Sequence, residues 1–204
     1  MAISEYWQAF EYLKGWEGDE SNDPNDPGGY THWGVTRPVL EELGLTGGGD
    51  VDGDGDIDIE DIKRLTVEGA REVFYKWAWQ PLGLTFVNTL ELATKIFDLA
   101  VNLGKYQGTV VVQRAVNGLL IAQGQERRPR LIVDGSLGPQ TRFAVNQFAR
   151  PADRSALLAC MCAEAAGVYR VILKHNEALE VFRAGWLRRA YSVPGNVVQE
   201  CKLS

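Results

Sequence analysis

Residues 90–103, LELATKIFDLAVNL, are apolar on more than one side and stop at Gly104. Such a segment reads as a helix that must be buried, so the rest of the chain has to supply the elements that cover it. Helical periodicity recurs on both sides of it. Residues 3–17 place Ile3, Trp7, Phe10, Leu13 and Glu17 three or four apart, one face of an amphipathic helix. Pro38 opens a short helix through Leu43, and helices are expected over about 60–79, 107–122, 139–149, 153–175 and 176–190. Strand signals are few and short, which makes the fold class mainly α. The polar, basic and proline-containing GQERRPR at 124–130 marks a domain boundary, giving domains 1–123 and 124–204.

At 204 residues, with 45% hydrophobic and 24% charged residues, the chain is an ordinary globular composition, long enough for one or two cores. No run of about 18 apolar residues is present, so no stable membrane insertion is expected. The N-terminus lacks a basic region ahead of an apolar one and does not read as a signal peptide. Cys160, Cys162 and Cys201 are an odd count, two of them too close in a helix to face each other, so idle or buried thiols are expected. The net charge of −6 is unevenly spread. Residues 1–61 carry 16 Asp/Glu against Lys14 and Arg37, a net −14, and residues 62–204 carry 11 against 19 Lys/Arg, a net +8. A segment at −14 repels itself unless a cation neutralises it. The basic remainder suits an anionic polymer, or is a solvated surface.

The acids concentrate in DVDGDGDIDIED, Asp50 to Asp61. Asp50, Asp52 and Asp54 stand at positions 1, 3 and 5 of a twelve-position EF-hand loop, with Gly55 at the sharp turn and Ile57 at the apolar position. Asp56 would offer its backbone carbonyl, Asp58 a water-mediated contact, and Asp61 the twelfth position, one methylene shorter than the usual Glu. TGGG stands where the entering helix of a full EF-hand would be. The expectation is one structural Ca2+, inserted at 47–61, against the bland alternative of an acidic spacer. The preceding half-frame resembles a dockerin, but a dockerin has two such repeats and only one is present.

Glu17 continues the apolar stripe beside Trp16. A carboxyl there is desolvated, which favours its protonated form and suits a general acid near neutral pH. Asp26 lies in a polar loop beside Gly28 and Gly29 and should stay ionised, and Thr31 can hold a water. Two carboxyls in contrasting settings are what glycosidic hydrolysis requires. The alternative for Glu17 is a helix-end side chain reaching solvent.

EGDESNDPNDPGGYTHWGVT resembles the signature of glycoside hydrolase family 108, the peptidoglycan-degrading N-acetylmuramidases that are often phage endolysins. The resemblance carries the catalytic glutamate to Glu17 and matches Pro24, Asp26, Pro27, Gly28, Gly29, Thr31 and Gly34. Asp19 and Glu20 depart from the family's Gly-Tyr. The Glu17, Asp26, Thr31 order is also similar to the Glu/Asp/Thr set of phage-type lysozymes. YKWAWQPLGL and IFDLAVNLG resemble the family's downstream helices, where Asp98 and Asn102 fall on one face, either lining the cleft or forming a structural hydrogen-bonding pair. LIVDGSLGPQTRFAVNQF resembles the small peptidoglycan-binding domain that follows this catalytic domain, through Asp134, Gly135, Gly138 and Thr141, and FRAGWLRRAY resembles its closing helix.

The resemblance implies a lysozyme-like catalytic domain, then a helical peptidoglycan-binding module, cleaving the β-1,4 bond between N-acetylmuramic acid and N-acetylglucosamine. Trp16, Tyr30 and Trp33 are candidates to stack on sugar rings, although such aromatics are as often core. The partner is peptidoglycan, with no nucleic acid, and a monomer is expected. A phage enzyme of this kind is made in the host cytoplasm and reaches the wall from the periplasm after holin-mediated release. The compact domain order suggests a Gram-negative host. A lytic transglycosylase, or a non-enzymatic calcium-bound wall-binding phage protein, are the alternatives.

Overall fold

A computed structural model of the chain describes residues 3–16, 20–21, 29–125 and 129–195. Helices account for nearly all of its regular structure, as a mainly α fold requires; the described strands are the two-residue pair β1 (Glu20–Ser21) and β2 (Thr31–His32). Packing divides the chain into two compact units, Ile3–Pro81 and Leu82 onward.

In the first unit, α1 (Ile3–Lys14) buries Tyr6, Ala9, Phe10 and Leu13. Phe10 and Leu13 of the expected stripe are buried, but its first turn differs. Ile3 is 65% and Trp7 50% exposed, and Trp7 carries the Arg71 guanidinium 4.7 Å from its ring centroid. An exposed aromatic face stabilised by a cation competes well with burial. Tyr6 takes the core position instead: its ring meets Tyr75 and Trp79 at about 5 Å, and its hydroxyl donates to the Arg71 carbonyl. Burial pushes the Tyr6 phenol far above its ordinary range.

The single helix expected over 60–79 is three pieces. They are α3 (Ile59–Arg64), α4 (Val67–Phe74) and a π-helical turn, Tyr75–Trp79. Thr66 causes the break, because its hydroxyl accepts from Gly69 N at 3.1 Å and starts a new helix. Beyond β2, α2 (Arg37–Leu43) buries Leu40 and is joined to the π turn by Trp77 Nε1, which donates to Glu42 Oε2 at 2.5 Å.

The second unit is built on α5 (Leu90–Leu103), buried from Leu92 through Ala100. It packs on α6 (Lys105–Ala122), which packs on α8 (Pro151–His175), and α9 (Arg183–Tyr191) closes on α8. Gly108 permits the tight α5–α6 turn, since a Cβ there would sit 2.8 Å from the Leu99 backbone. The short helix α7 (Pro139–Asn146) lies beside α6. The expected helix over 176–190 opens as a 3-10 turn, Glu177–Phe182, before α9. The polar turn at 123–125, where composition placed a boundary, lies inside this unit because α6 is packed into it along its length. By length and composition α8 is apolar enough to cross a bilayer. Leu157, Met161, Ala165, Tyr169 and Leu173 are nevertheless buried within the fold, as on the core helix of a bundle. Cys160 and Cys162 are free thiols on α8, both pushed up by burial, and Cys201 lies outside the described residues.

Candidate active site, ion loop and wall-binding module

The segment that carries Glu17, Asp26 and Thr31 is described at its two ends. At one end, α1 stops at Lys14 and a turn follows, with Gly15 N donating to Glu11 O and Trp16 N to Leu13 O at 2.9 Å. Gly15 and Trp16 bring the chain to Glu17, with Trp16 half-buried. At the other end, β1 and β2 pair antiparallel, Glu20 opposite His32 and Ser21 opposite Thr31. Glu17 and Asp26 lie outside the described residues. Tyr30, Thr31 and Trp33 are described and all half-buried.

Past Thr31 the chain reverses in a two-residue turn. His32 N donates to Val35 O at 3.3 Å and Val35 N to His32 O at 3.0 Å, around Trp33 (φ 53°) and Gly34 (φ 76°). Both central residues at positive φ make a primed type I turn, which is why the Thr-x-x-Gly spacing needs its glycine. Trp33 is the one non-glycine residue at positive φ among the described residues. That conformation costs of order 1–3 kcal/mol, and the indole recovers part of it by stacking on His32 at 5.3 Å. Strain of this sort marks functional sites, which keeps Trp33 as a candidate platform for a sugar ring. Trp33→Gly is expected to leave the melting temperature unchanged or raised while lowering turnover on sacculi at least several-fold. Thermal melting and a dye-release assay read the two effects, and full activity in the variant would remove Trp33 from the site.

His32 also ties this turn to the acidic loop. Its Nδ1 donates to the Ile62 carbonyl at 3.1 Å, on α3, one residue beyond Asp61. The loop is held by bonds from its own amides to its own carboxylates. Asp50 accepts from Gly53 N at 2.7 Å and Gly55 N at 3.2 Å, and Asp52 and Asp54 each accept from the amide two residues on. Gly55 at φ 98° sits at the expected sharp turn. The carboxylates form two groups with ligand oxygens within 4.8 Å of one another: Asp50, Asp52, Asp54, and Asp56, Asp58, Asp61. Asp58 thus joins the acids at the site through its side chain as well as capping α3, where Glu60 N donates to it at 2.7 Å. The segment before the loop is a 3-10 turn, Leu45–Gly47, in place of an entering helix.

Electrostatics inside the loop run in opposite directions. Burial raises the Asp52 carboxyl, and the charge of Asp54 raises that of Asp56. Burial would also raise Asp61, but the amides of Asp58, Val51 and Asp52 donate to it and hold it below the usual value. Each group offers three hard carboxylate oxygens on a turn whose charges repel one another, a donor chemistry that fits a hard divalent cation such as Ca2+.

Asp98 and Asn102 serve internal bonding. Asp98 is 1% exposed, with Arg189 Nε at 2.9 Å and Lys95 Nζ at 3.3 Å. Asn102 Nδ2 donates to the Tyr169 hydroxyl. Both side chains bind α8 or α9 residues of their own unit, the structural alternative for this pair.

The D-G-x-x-G-x-x-T motif also has a structural explanation, which rests on Gln113, a residue sequence reasoning missed. The Gln113 carboxamide donates to Asp134 Oδ1 at 2.8 Å, Ser136 O at 3.1 Å and Thr141 Oγ1 at 3.2 Å, and accepts from Gly135 N at 3.0 Å. The Gln113 bond first, and after it the Ser136 amide that donates to Asp134 Oδ1 at 2.9 Å, hold Asp134 below the usual carboxylate value. Gly135 packs against the Tyr106 ring, which a Cβ would approach to 2.3 Å. One glutamine on α6 therefore fastens the whole motif. Nothing in its own local sequence marks it out.

The strained turn beyond Thr31 and the motif fastened by Gln113 lie in two successive segments, each of which matches a known family. Residues 10–104 match the glycosyl hydrolase 108 family model, and residues 107–191 match the model of a predicted peptidoglycan domain. No curated protein matches the chain significantly. Among solved structures, that of Brucella abortus SagA is similar in fold, with a TM-score of 0.67 at 20% identity, over 93% of this chain and 91% of that one.

Proposed function

We propose that the protein is an N-acetylmuramidase of the endolysin type, hydrolysing the β-1,4 bond between N-acetylmuramic acid and N-acetylglucosamine. Glu17 protonates the leaving oxygen, and Asp26 stabilises the developing oxocarbenium charge or orients water with Thr31. The observation that carries this reading is the Ser21–Thr31 pairing directly after α1, inside the segment that matches glycosyl hydrolase 108. It returns Thr31 to the chain four residues beyond Glu17. In a phage setting the enzyme is made in the host cytoplasm and acts on the wall after holin-mediated release.

Purified sacculi digested with the protein should yield fragments with reducing N-acetylmuramic acid ends by mass spectrometry. 1,6-Anhydro ends would make it a lytic transglycosylase, and no fragments at all would favour a non-enzymatic wall-binding protein.

A structural Ca2+ in the Asp50–Asp61 loop is part of the proposal. It would steady α3 and, through Ile62 and His32, the turn that carries Trp33. Chelation is expected to lower the melting temperature by several degrees, with recovery on adding Ca2+. The pH dependence follows from the raised carboxyls of Asp52 and Asp56. Without the ion, their contribution to stability is present at low pH and lost as pH rises through their folded values. The gain from Ca2+ should therefore be largest near neutrality and fade toward the ordinary Asp value of about 3.9. Calorimetry with and without chelator checks it, and no change at neutral pH would argue against an occupied loop.

A further inference from the structure

The second unit has a groove of about 710 Å³ that neither the fold nor the motif network accounts for. The end of α6, the extended residues 129–131 and the outer face of α7 form its walls. Leu120, Leu131, Phe143 and Phe148 make them largely apolar, and Phe143 is 68% exposed, a large ring left at the surface. The polar groups are few and specific. Gln140 stands on α7 and Gln147 just past its end, and Arg130 lines the same groove. Arg130 Nη1 is buried and has no hydrogen-bond partner among the described residues. A buried guanidinium nitrogen without an acceptor is costly, and an anionic group arriving in the groove would relieve that cost.

We propose that this groove binds the stem peptide of peptidoglycan, with Arg130 receiving a peptide carboxylate. The inference rests on the assignment of residues 107–191 as a peptidoglycan domain and goes further, by saying which part of the polymer is held and where. A glycan strand presents hydroxyls on every ring and needs many polar partners, which these walls do not supply. A stem peptide offers alanine methyls for Leu120, Leu131 and Phe143, amides for the two glutamine carboxamides, and free carboxylates for Arg130. The volume falls within the range of about 300–1,000 Å³ usual for a ligand site. The net charge of +8 over residues 62–204 favours the approach of the same anionic polymer.

The test is co-sedimentation of the full chain, carrying Glu17→Gln so that the wall is not consumed, with two preparations of sacculi. One is intact, and the other is stripped of stem peptides by an amidase. Binding to intact sacculi is expected to exceed binding to stripped sacculi by roughly tenfold. Arg130→Gln and Phe143→Ala should each bring intact binding toward the stripped level, with unchanged melting temperatures and no further loss on stripped sacculi. Phe143 is exposed enough that its variant keeps the fold. Should Arg130→Gln fail to fold, titration of the labelled chain with a synthetic stem tripeptide replaces it, and NMR shifts confined to residues of the groove are expected. Equal binding to both preparations, or variants that bind like the parent, would overturn the groove while leaving the module a glycan binder. No binding to either preparation would overturn the peptidoglycan assignment itself and the groove with it.

Discussion

Glu17→Gln should abolish lysis of chloroform-permeabilised Gram-negative cells while leaving the protein folded. A positioned general acid contributes roughly 10²–10⁴-fold to rate, and an amide of nearly the same shape cannot supply the proton. The fold should tolerate the change because the buried stripe of α1 runs through Tyr6, Ala9, Phe10 and Leu13 and is complete before the helix ends at Lys14. Turbidity clearance measures the activity, and circular dichroism with thermal melting measures the fold. Both are needed, since a collapsed variant would also be inactive. Clearance by the folded variant at the parent's rate would sink the assignment of Glu17. Clearance reduced by only a few-fold would move the acid to another residue and leave Glu17 an orienting role.

What could be read from the sequence divides by the range of the forces involved. The backbone of the Asp50–Asp61 segment was legible because each of its constraints is local. Carboxylates accept from amides two to five residues away, and Gly55 answers a backbone need at its own position. The buried helix over 90–103 was legible for the same reason, since a run with too few polar positions has no solvent face to offer. The stripe of α1 was right at Phe10 and Leu13 and wrong in the first turn, because Tyr6 and Trp7 are aromatic neighbours. Periodicity alone does not say which ring finds Tyr75 and Trp79 and which finds Arg71. The break at Thr66 was hidden in the same way, by a cap whose residue also suits a helix interior poorly but not decisively. Long-range bonds were invisible. Gln113 fastens a motif more than twenty residues away, and no spacing rule points to it. The strain at Trp33 shows only in the backbone, although Gly34 beside it was already required by the motif.

The largest stability effect is expected at Asp98, where the same distance blindness concealed an ion network. Lys95 is fully buried, and its Nζ reaches Asp98 Oδ2 at 3.3 Å and the carbonyls of Arg189, Ala190 and Ser192 at 3.0–3.3 Å. These carbonyls lie at the C-terminal end of α9, where helical partners have run out and a buried ammonium completes them. Asp98 neutralises that ammonium and accepts from Arg189 Nε at 2.9 Å. Asp98→Ala would leave two cations without their shared anion, one of them out of reach of water, and should cost about 3–5 kcal/mol. Lys95→Met leaves the Asp98–Arg189 pair in place, so it should cost less. The double variant Lys95→Met/Asp98→Ala should be milder than the two losses added, because the members act through one another. Denaturant unfolding followed by circular dichroism measures all three, and a loss below about 1 kcal/mol for Asp98→Ala would show that the network contributes little. The consequence reaches the domain question. Lys95 and Asp98 belong to the segment matching glycosyl hydrolase 108, while Arg189 and Ala190 belong to the segment matching the peptidoglycan domain. A chain cut after Gly104 would expose an apolar helix holding a buried lysine and aspartate stripped of their partners, so the glycosidase segment is expected not to fold alone.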